Sequence, residues 1–251
     1  MKAMFFARPL EYRVEIPAER LEQGLVLAGR LDVSNRGPAE LQGLTFAVGL
    51  AHADFKALKK DGSQAFAHLE RQVLSEGASL APGATAGFEF EFSLPPDFPV
   101  KTRDSGPFLL YGGDLDELSA RGQLDLPVEP TPALERFIEA LENSFSFEAR
   151  GRKFSQGFLE VRYKPPESYP SMEELLARLK LDESKLSLIV RARLKSIGRG
   201  AQGGLKTRKA ELQRDIPLAE FLTPGGHPNR PLFKEIWKDV LGELSPGVLS
   251  K

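Results

Sequence analysis

The sequence predicts a mainly β protein made of two β-sandwich domains with a few short helices. Three observations carry that expectation. Apolar and polar residues alternate with period two in Phe88-Glu89-Phe90-Glu91-Phe92-Ser93-Leu94, and again through Leu186, Leu188, Val190, Ala192 and Leu194. Gly and Pro punctuate the runs, as at Pro82-Gly83 and Pro95-Pro96. No stretch before residue 130 shows a convincing helical period. A strand sends alternate side chains to opposite faces, whereas a helix would scatter those phenylalanines around its circumference. Several short strands separated by such turns argue a sandwich.

In chain order, Tyr12, Val14 and Ile16 alternate with charged neighbours, then Leu25, Leu27, Gly29, Leu31 and Val33 repeat the pattern. Ser34-Asn35-Arg36-Gly37-Pro38 reads as a turn, and Leu44, Phe46, Val48 and Leu50 form the next strand. Phe88, Phe90 and Phe92 should point into the first core. The pattern changes at Glu129-Pro130-Thr131-Pro132, which sets domains of 1–129 and 130–251. Thr131 suits an N-cap and Pro132 the first helical position, where its missing N–H costs nothing. Leu134, Phe137, Ile138 and Leu141 fall at helical spacing, giving a helix over 132–144. Phe158 to Tyr163 is a strand. Ser171 with Glu174 has the form of a capping box, so a second helix is expected over 171–180, carrying Leu175, Leu176 and Leu179. Leu186 to Leu194 is a long strand, and Leu205 to Arg214 fits strand or helix. A last helix over 231–244 presents Phe233, Ile236, Trp237, Val240, Leu241 and Leu244 on one side.

Composition narrows the function classes. Hydrophobic residues are 41% and charged residues 27% of 251, which is globular. The 34 Lys and Arg against 35 Asp and Glu lack the basic excess of a duplex-DNA binder, so no DNA is expected. Absence of cysteine removes disulfides, thiolate metal sites and a cysteine nucleophile, and fits a reducing cytoplasm. The first residues lack a signal-peptide apolar run and no stretch approaches a membrane span, so a soluble cytoplasmic protein is expected.

Motifs point away from cofactor chemistry. Gly198-Arg199-Gly200-Ala201-Gln202-Gly203 matches G-x-G-x-x-G, but the segment after it, Leu205 to Glu211, is too polar to be the helix of a βαβ unit. A hairpin tip explains the glycines. Asp114, Asp116 and Glu117 lack the later ligands of a calcium loop, since Ser119 and Asp125 stand where Gly and Glu are needed. His52, His68 and His227 show no metal-ligand spacing, although His52 and His68 could meet across strands. Neither a catalytic residue, a cofactor nor a metal is expected.

Leu27-Ala28-Gly29-Arg30-Leu31-Asp32-Val33 is similar to the early strand of the arrestin-like proteins. Leu80-Ala81-Pro82-Gly83, followed by Phe88 to Pro95, is similar to that family's "L-x-P-G … F-x-F-x-L-P" strand. Leu124-Asp125-Leu126-Pro127-Val128-Glu129-Pro130, the helix Leu134–Leu141, and Phe145 and Phe147 after it resemble its junction into a second sandwich. Over about residues 10 to 165 the order of these pieces most resembles the bacterial sporulation-control branch. The first 20 residues and the C-terminal helix depart from it. The resemblance implies two arrestin-like β-sandwiches and a non-enzymatic adaptor that binds other proteins along sheet faces or strand edges, in sporulation or cell-division control. The competing expectation is a β-sandwich hydrolase or carbohydrate-binding module, with Asp104, Asp114 and Asp116 converging in a cleft.

Charge is uneven, with 13 basic and 19 acidic residues in 1–129 against 21 and 16 in 130–251. The basic excess gathers between Arg191 and Arg214. Arg191, Arg193 and Lys195 alternate with core residues, so they should share the solvent face. With Arg199, Lys206 and Arg208 they form a candidate hairpin surface for an anionic partner, and Trp237 is a candidate anchor for docking of the last helix, either on its own second domain or on a partner.

Overall fold

A computed structural model describes residues 1–60, 65–197 and 205–245. The chain divides into two units, Met1–Glu129 and Pro130–Lys251. The first runs β1 (Lys2–Ala7), β2 (Leu10–Glu15), β3 (Leu21–Glu22), β4 (Val26–Asn35), β5 (Leu41–Asp54), α1 (Phe55–Lys60), β6 (Phe66–Leu80), β7 (Thr85–Ser93), β8 (Ser105–Gly112), β9 (Arg121–Asp125) and β10 (Val128–Glu129). The second runs α2 (Pro132–Phe145), β11 (Glu148–Ser155), β12 (Phe158–Lys164), β13 (Met172–Leu181), β14 (Lys185–Ile197), β15 (Leu205–Pro217), α3 (Leu218–Phe221) and α4 (Arg230–Leu244). The mainly β class holds.

In the first unit, sheets ordered β1-β2-β4-β7 and β6-β5-β8-β9 enclose a core. Tyr12, Val14, Leu31, Phe90 and Phe92 meet Phe46, Val48, Leu50, Leu109 and Tyr111 there. Phe88 packs against the same core and is partly buried, while Glu89 and Glu91 take the other face, as their alternation demands. The turn after β4 is held by Asn35, whose buried side-chain N–H groups donate to Ala39 O (2.8 Å) and Leu80 O (2.9 Å) while its Oδ1 accepts from Gly37 N.

β8 is buried on both faces. Leu109 and Tyr111 join the main core, while Phe108 and Leu110 join a smaller cluster with Ala47, Ala51, Phe66 and Leu115. Phe55 of α1 meets Phe108 edge-on at 6.1 Å, and the Arg121 guanidinium covers the Phe66 ring at 4.8 Å. A strand apolar on both sides has no period-two signature, so Pro107-Phe108-Leu109-Leu110-Tyr111 gives no alternation to read.

In the second unit β11-β12-β13-β14-β15 form one antiparallel meander. Its inner face is covered by helices, where two facing sheets were expected. Tyr163 on β12 donates its hydroxyl to Ile138 O on α2 (3.4 Å), and Arg152 on β11 makes two hydrogen bonds to Glu135 (2.6 and 2.7 Å). α4 packs on α2 and β15. These helices cover the inner face because each carries an apolar stripe wide enough to do so: Leu134, Phe137, Ile138 and Leu141 on one, Phe233, Ile236, Trp237, Val240 and Leu241 on the other. Thr131 caps α2, its Oγ1 accepting from Leu134 N at 3.2 Å.

The helix expected over 171–180 is instead β13. Glu174-Leu175-Leu176-Ala177-Arg178-Leu179-Lys180 satisfies both periods, but pairing on both sides selects the strand: Leu175, Ala177, Leu179 and Leu181 are buried while Leu176, Arg178 and Lys180 take the other face. Ser171 Oγ meets Ser245 Oγ (3.4 Å) and serves no capping box.

Candidate functional site

The outer face of the meander, opposite the helices, is built by strand register. Residues paired across adjacent strands share a face. One row crosses it as Arg162, Leu176, Arg191 and Glu211, and the next carries Arg193 and Lys209 side by side on β14 and β15. Lys195 follows opposite Thr207. Arg191, Arg193 and Lys195 are all exposed, because Ala192 and Leu194 between them are buried on the helical side.

Some of these charges are well paired. Arg191 Nε lies 2.5 Å from Glu211 Oε2, Arg162 Nε 2.9 Å from Glu174 Oε1, and Arg178 Nε 2.9 Å from Glu160 Oε1. Near the other end of the face Lys185 and Asp215 meet at 2.6 Å, and the pairing raises the ammonium pKa and lowers the carboxyl pKa. Arg193 is different. Its nearest carboxylates, Glu173 and Glu174, stand at 4.0 Å, and Glu174 is already held by Arg162. Among the described residues Lys195 and Lys209 have no carboxylate within ion-pair distance. A recess of about 380 Å³ opens here, lined by Leu176, Ala192 and Ala210 among Glu174, Arg191, Arg193, Lys209 and Glu211. Arg150, Arg162 and Lys164 line a second hollow that shares Glu174 and Arg193.

The remaining candidates do not join this face. Arg208 pairs with Leu194, whose side chain is buried on the helical side, so Arg208 belongs to the opposite face. Arg214 does likewise, pairing with Glu243 of α4. Arg199 lies outside the described residues, as does the glycine motif Gly198–Gly203; Lys206 lies on β15, its side chain outside them. Trp237 is not a surface anchor: it is fully buried, stacked on Phe137 at 5.0 Å, with its indole N–H satisfied by Phe137 O at 3.0 Å. The apolar stripe that made it a docking candidate is consumed by the unit's own core.

Arg162, Glu174, Leu176 and Lys209 were missing from the site as read from sequence. The outward phase of Arg162 was legible from alternation, whereas Leu205 to Arg214 fits strand or helix and gives Lys209 no face, and which strand lies beside which was not legible at all.

The acids named for a cleft do not converge. Asp104 precedes β8 and Asp114 and Asp116 follow it, so the strand's eight residues, roughly 27 Å of extended chain, separate them. All three are exposed, and Asp116 reaches His68 (3.3 Å) and Arg71 (3.4 Å). The pairings His52↔Ala67 and Ala51↔His68 put His52 and His68 on opposite faces of their sheet. Burial pushes His52 below the usual imidazole range. No helix among the described residues is long and apolar enough to cross a membrane.

Neither protein-family models nor curated proteins match the sequence. The solved structure of Spo0M, a sporulation control protein from Bacillus subtilis, is similar to 94% of this chain and 99% of its own at a TM-score of 0.69, with 17% identity. The fold is shared. A β-glucosidase from Listeria innocua aligns over 47% of this chain and 16% of its own (TM-score 0.29, 13% identity), and the C-terminal domain of Wzt over 52% and 79% (0.30, 11%).

Proposed function

We propose that this chain is a non-enzymatic, cytoplasmic arrestin-like adaptor that holds protein partners and acts in the control of sporulation or cell division. The observation that carries the reading is the end-to-end likeness to a sporulation control protein, which spans both units in order. Surface chemistry supports it. The exposed charges of the second sheet are spread over a broad face, and the first unit's candidate acids stand at opposite ends of a strand. Such surfaces suit recognition of another protein, where affinity comes from a few central groups and a polar rim. The role in sporulation is carried over from fold likeness, which by itself assigns no activity.

The test is genetic and biochemical together. Deleting the gene in its native cells should change sporulation or division, and the native chain should restore it. The chain should also retain a defined partner when affinity-purified from those cells. An unchanged phenotype, or turnover of a small-molecule substrate by the purified protein, overturns the reading.

A further inference from the structure

We propose that the outer face of the five-stranded sheet, centred on Arg193 and Lys209, binds an extended acidic segment of a partner protein; this rests on the adaptor reading and names the partner's chemistry.

The argument begins with a local conflict. Two cations placed directly opposite on neighbouring strands repel, and natural sheets pair opposite charges at such positions. This sheet does so in the adjacent row, with Arg191 on Glu211 at 2.5 Å, and across β12 and β13, with Arg178 on Glu160 at 2.9 Å. Arg193 and Lys209 break the rule between β14 and β15; on its β13 side Arg193 faces Glu174, but at 4.0 Å, and that carboxylate is already held by Arg162 at 2.9 Å. A local choice that opposes the fold without a structural gain is a mark of function. An incoming carboxylate removes the conflict.

Spacing then selects the ligand. Arg191, Arg193 and Lys195 occupy alternate positions of one strand, so their stems repeat every ~6.8 Å. Alternate residues of an extended peptide repeat at that same distance, so acids at every second position match the row. Between the charges Leu176 is the apolar side chain of the recess, since the side chains of Ala192 and its partner Ala210 turn to the helical side, and it offers a contact to one small apolar side chain. The interleaved Glu173, Glu174 and Glu211 oppose a uniformly anionic lipid surface. Among the described residues no aromatic side chain lines the recess to stack a base, which disfavours single-stranded RNA.

The probe is a short fluorescein-labelled peptide alternating Glu with Thr, titrated by anisotropy with the full chain at low salt. Competitors are a peptide of the same composition with its glutamates contiguous, phosphatidylserine vesicles and oligouridine. The alternating peptide should bind best and weaken as salt rises. Each exposed charge pair contributes modestly, so Arg193→Gln with Lys209→Gln should weaken binding by about 2- to 30-fold. Arg208→Gln, on the opposite face, should leave it unchanged. Because the double variant removes facing like charges, its melting temperature should equal or exceed the native value. The proposal is overturned if the native chain ignores the alternating peptide, prefers any competitor, or loses affinity equally through Arg208→Gln. It also fails if the double variant binds normally or melts lower. Each of those results leaves the adaptor reading standing, because that reading is judged by phenotype and partner retention.

Discussion

Trp237 on α4 donates its indole N–H to the carbonyl of Phe137 on α2, 3.0 Å away, and stacks on the same residue's ring at 5.0 Å. Phe221 and Phe233 complete the cluster, 5.6 and 5.3 Å from Phe137. One residue thus joins the helices that form the inner layer of the second unit. The C-terminal helix is a structural part of that unit.

Trp237→Ala should therefore destabilise by about 3–5 kcal/mol, because it opens a cavity between two helices. Trp237→Phe keeps most of the buried area and loses the hydrogen bond, so its cost should be nearer ~1 kcal/mol. Thermal or urea unfolding separates the two. Equal, small effects would show that α4 does not dock as described.

Two glycines should respond differently to alanine. At Gly122 a Cβ would meet the Tyr111 ring and lie 2.7 Å from the Phe5 Cβ, in the first core. Overpacking of that kind costs about 1–3 kcal/mol. At Gly87 the obstacles are the tip of Arg30 and the Asp32 carboxylate it pairs with at 2.8 Å, ends of surface side chains that can swing aside together. Gly87→Ala should change stability by less than about 0.5 kcal/mol, and a loss matching that of Gly122→Ala would contradict the assignment.

Alkaline pH should destabilise the first unit. Burial pushes the Tyr12 and Tyr111 hydroxyls up to about 12 from an ordinary value of 10.0. The folded state holds these phenols neutral, so their contribution is intact below pH 10 and is lost as pH rises from 10 towards 12, where the unfolded chain ionises first. The melting temperature should fall through that window, less steeply for Tyr12→Phe. A melting temperature that stays flat there would count against burial of these hydroxyls.

Thr131→Ala should cost about 0.5–2 kcal/mol by leaving the Leu134 N–H without its cap. Thr131→Ser should recover most of it. If serine and alanine melt alike, the hydroxyl is not the cap.

Local pattern alone determined a good part of this protein. Alternation through Phe88–Phe92 and Leu186–Leu194 assigned strands and their buried faces, because a half-buried strand writes its environment into every second residue. The sequence also placed Arg191, Arg193 and Lys195 on one exposed face, and put a capped helix after Thr131. Tertiary structure decided the rest. Met172–Leu181 suits either period until β12 and β14 flank it, and β8 carries no period because cores lie on both its sides. Register sent Arg208 to the helical side and set Lys209 beside Arg193. A pairing partner distant along the chain leaves no local trace, so the conflict that marks the candidate site exists only once the strands are side by side.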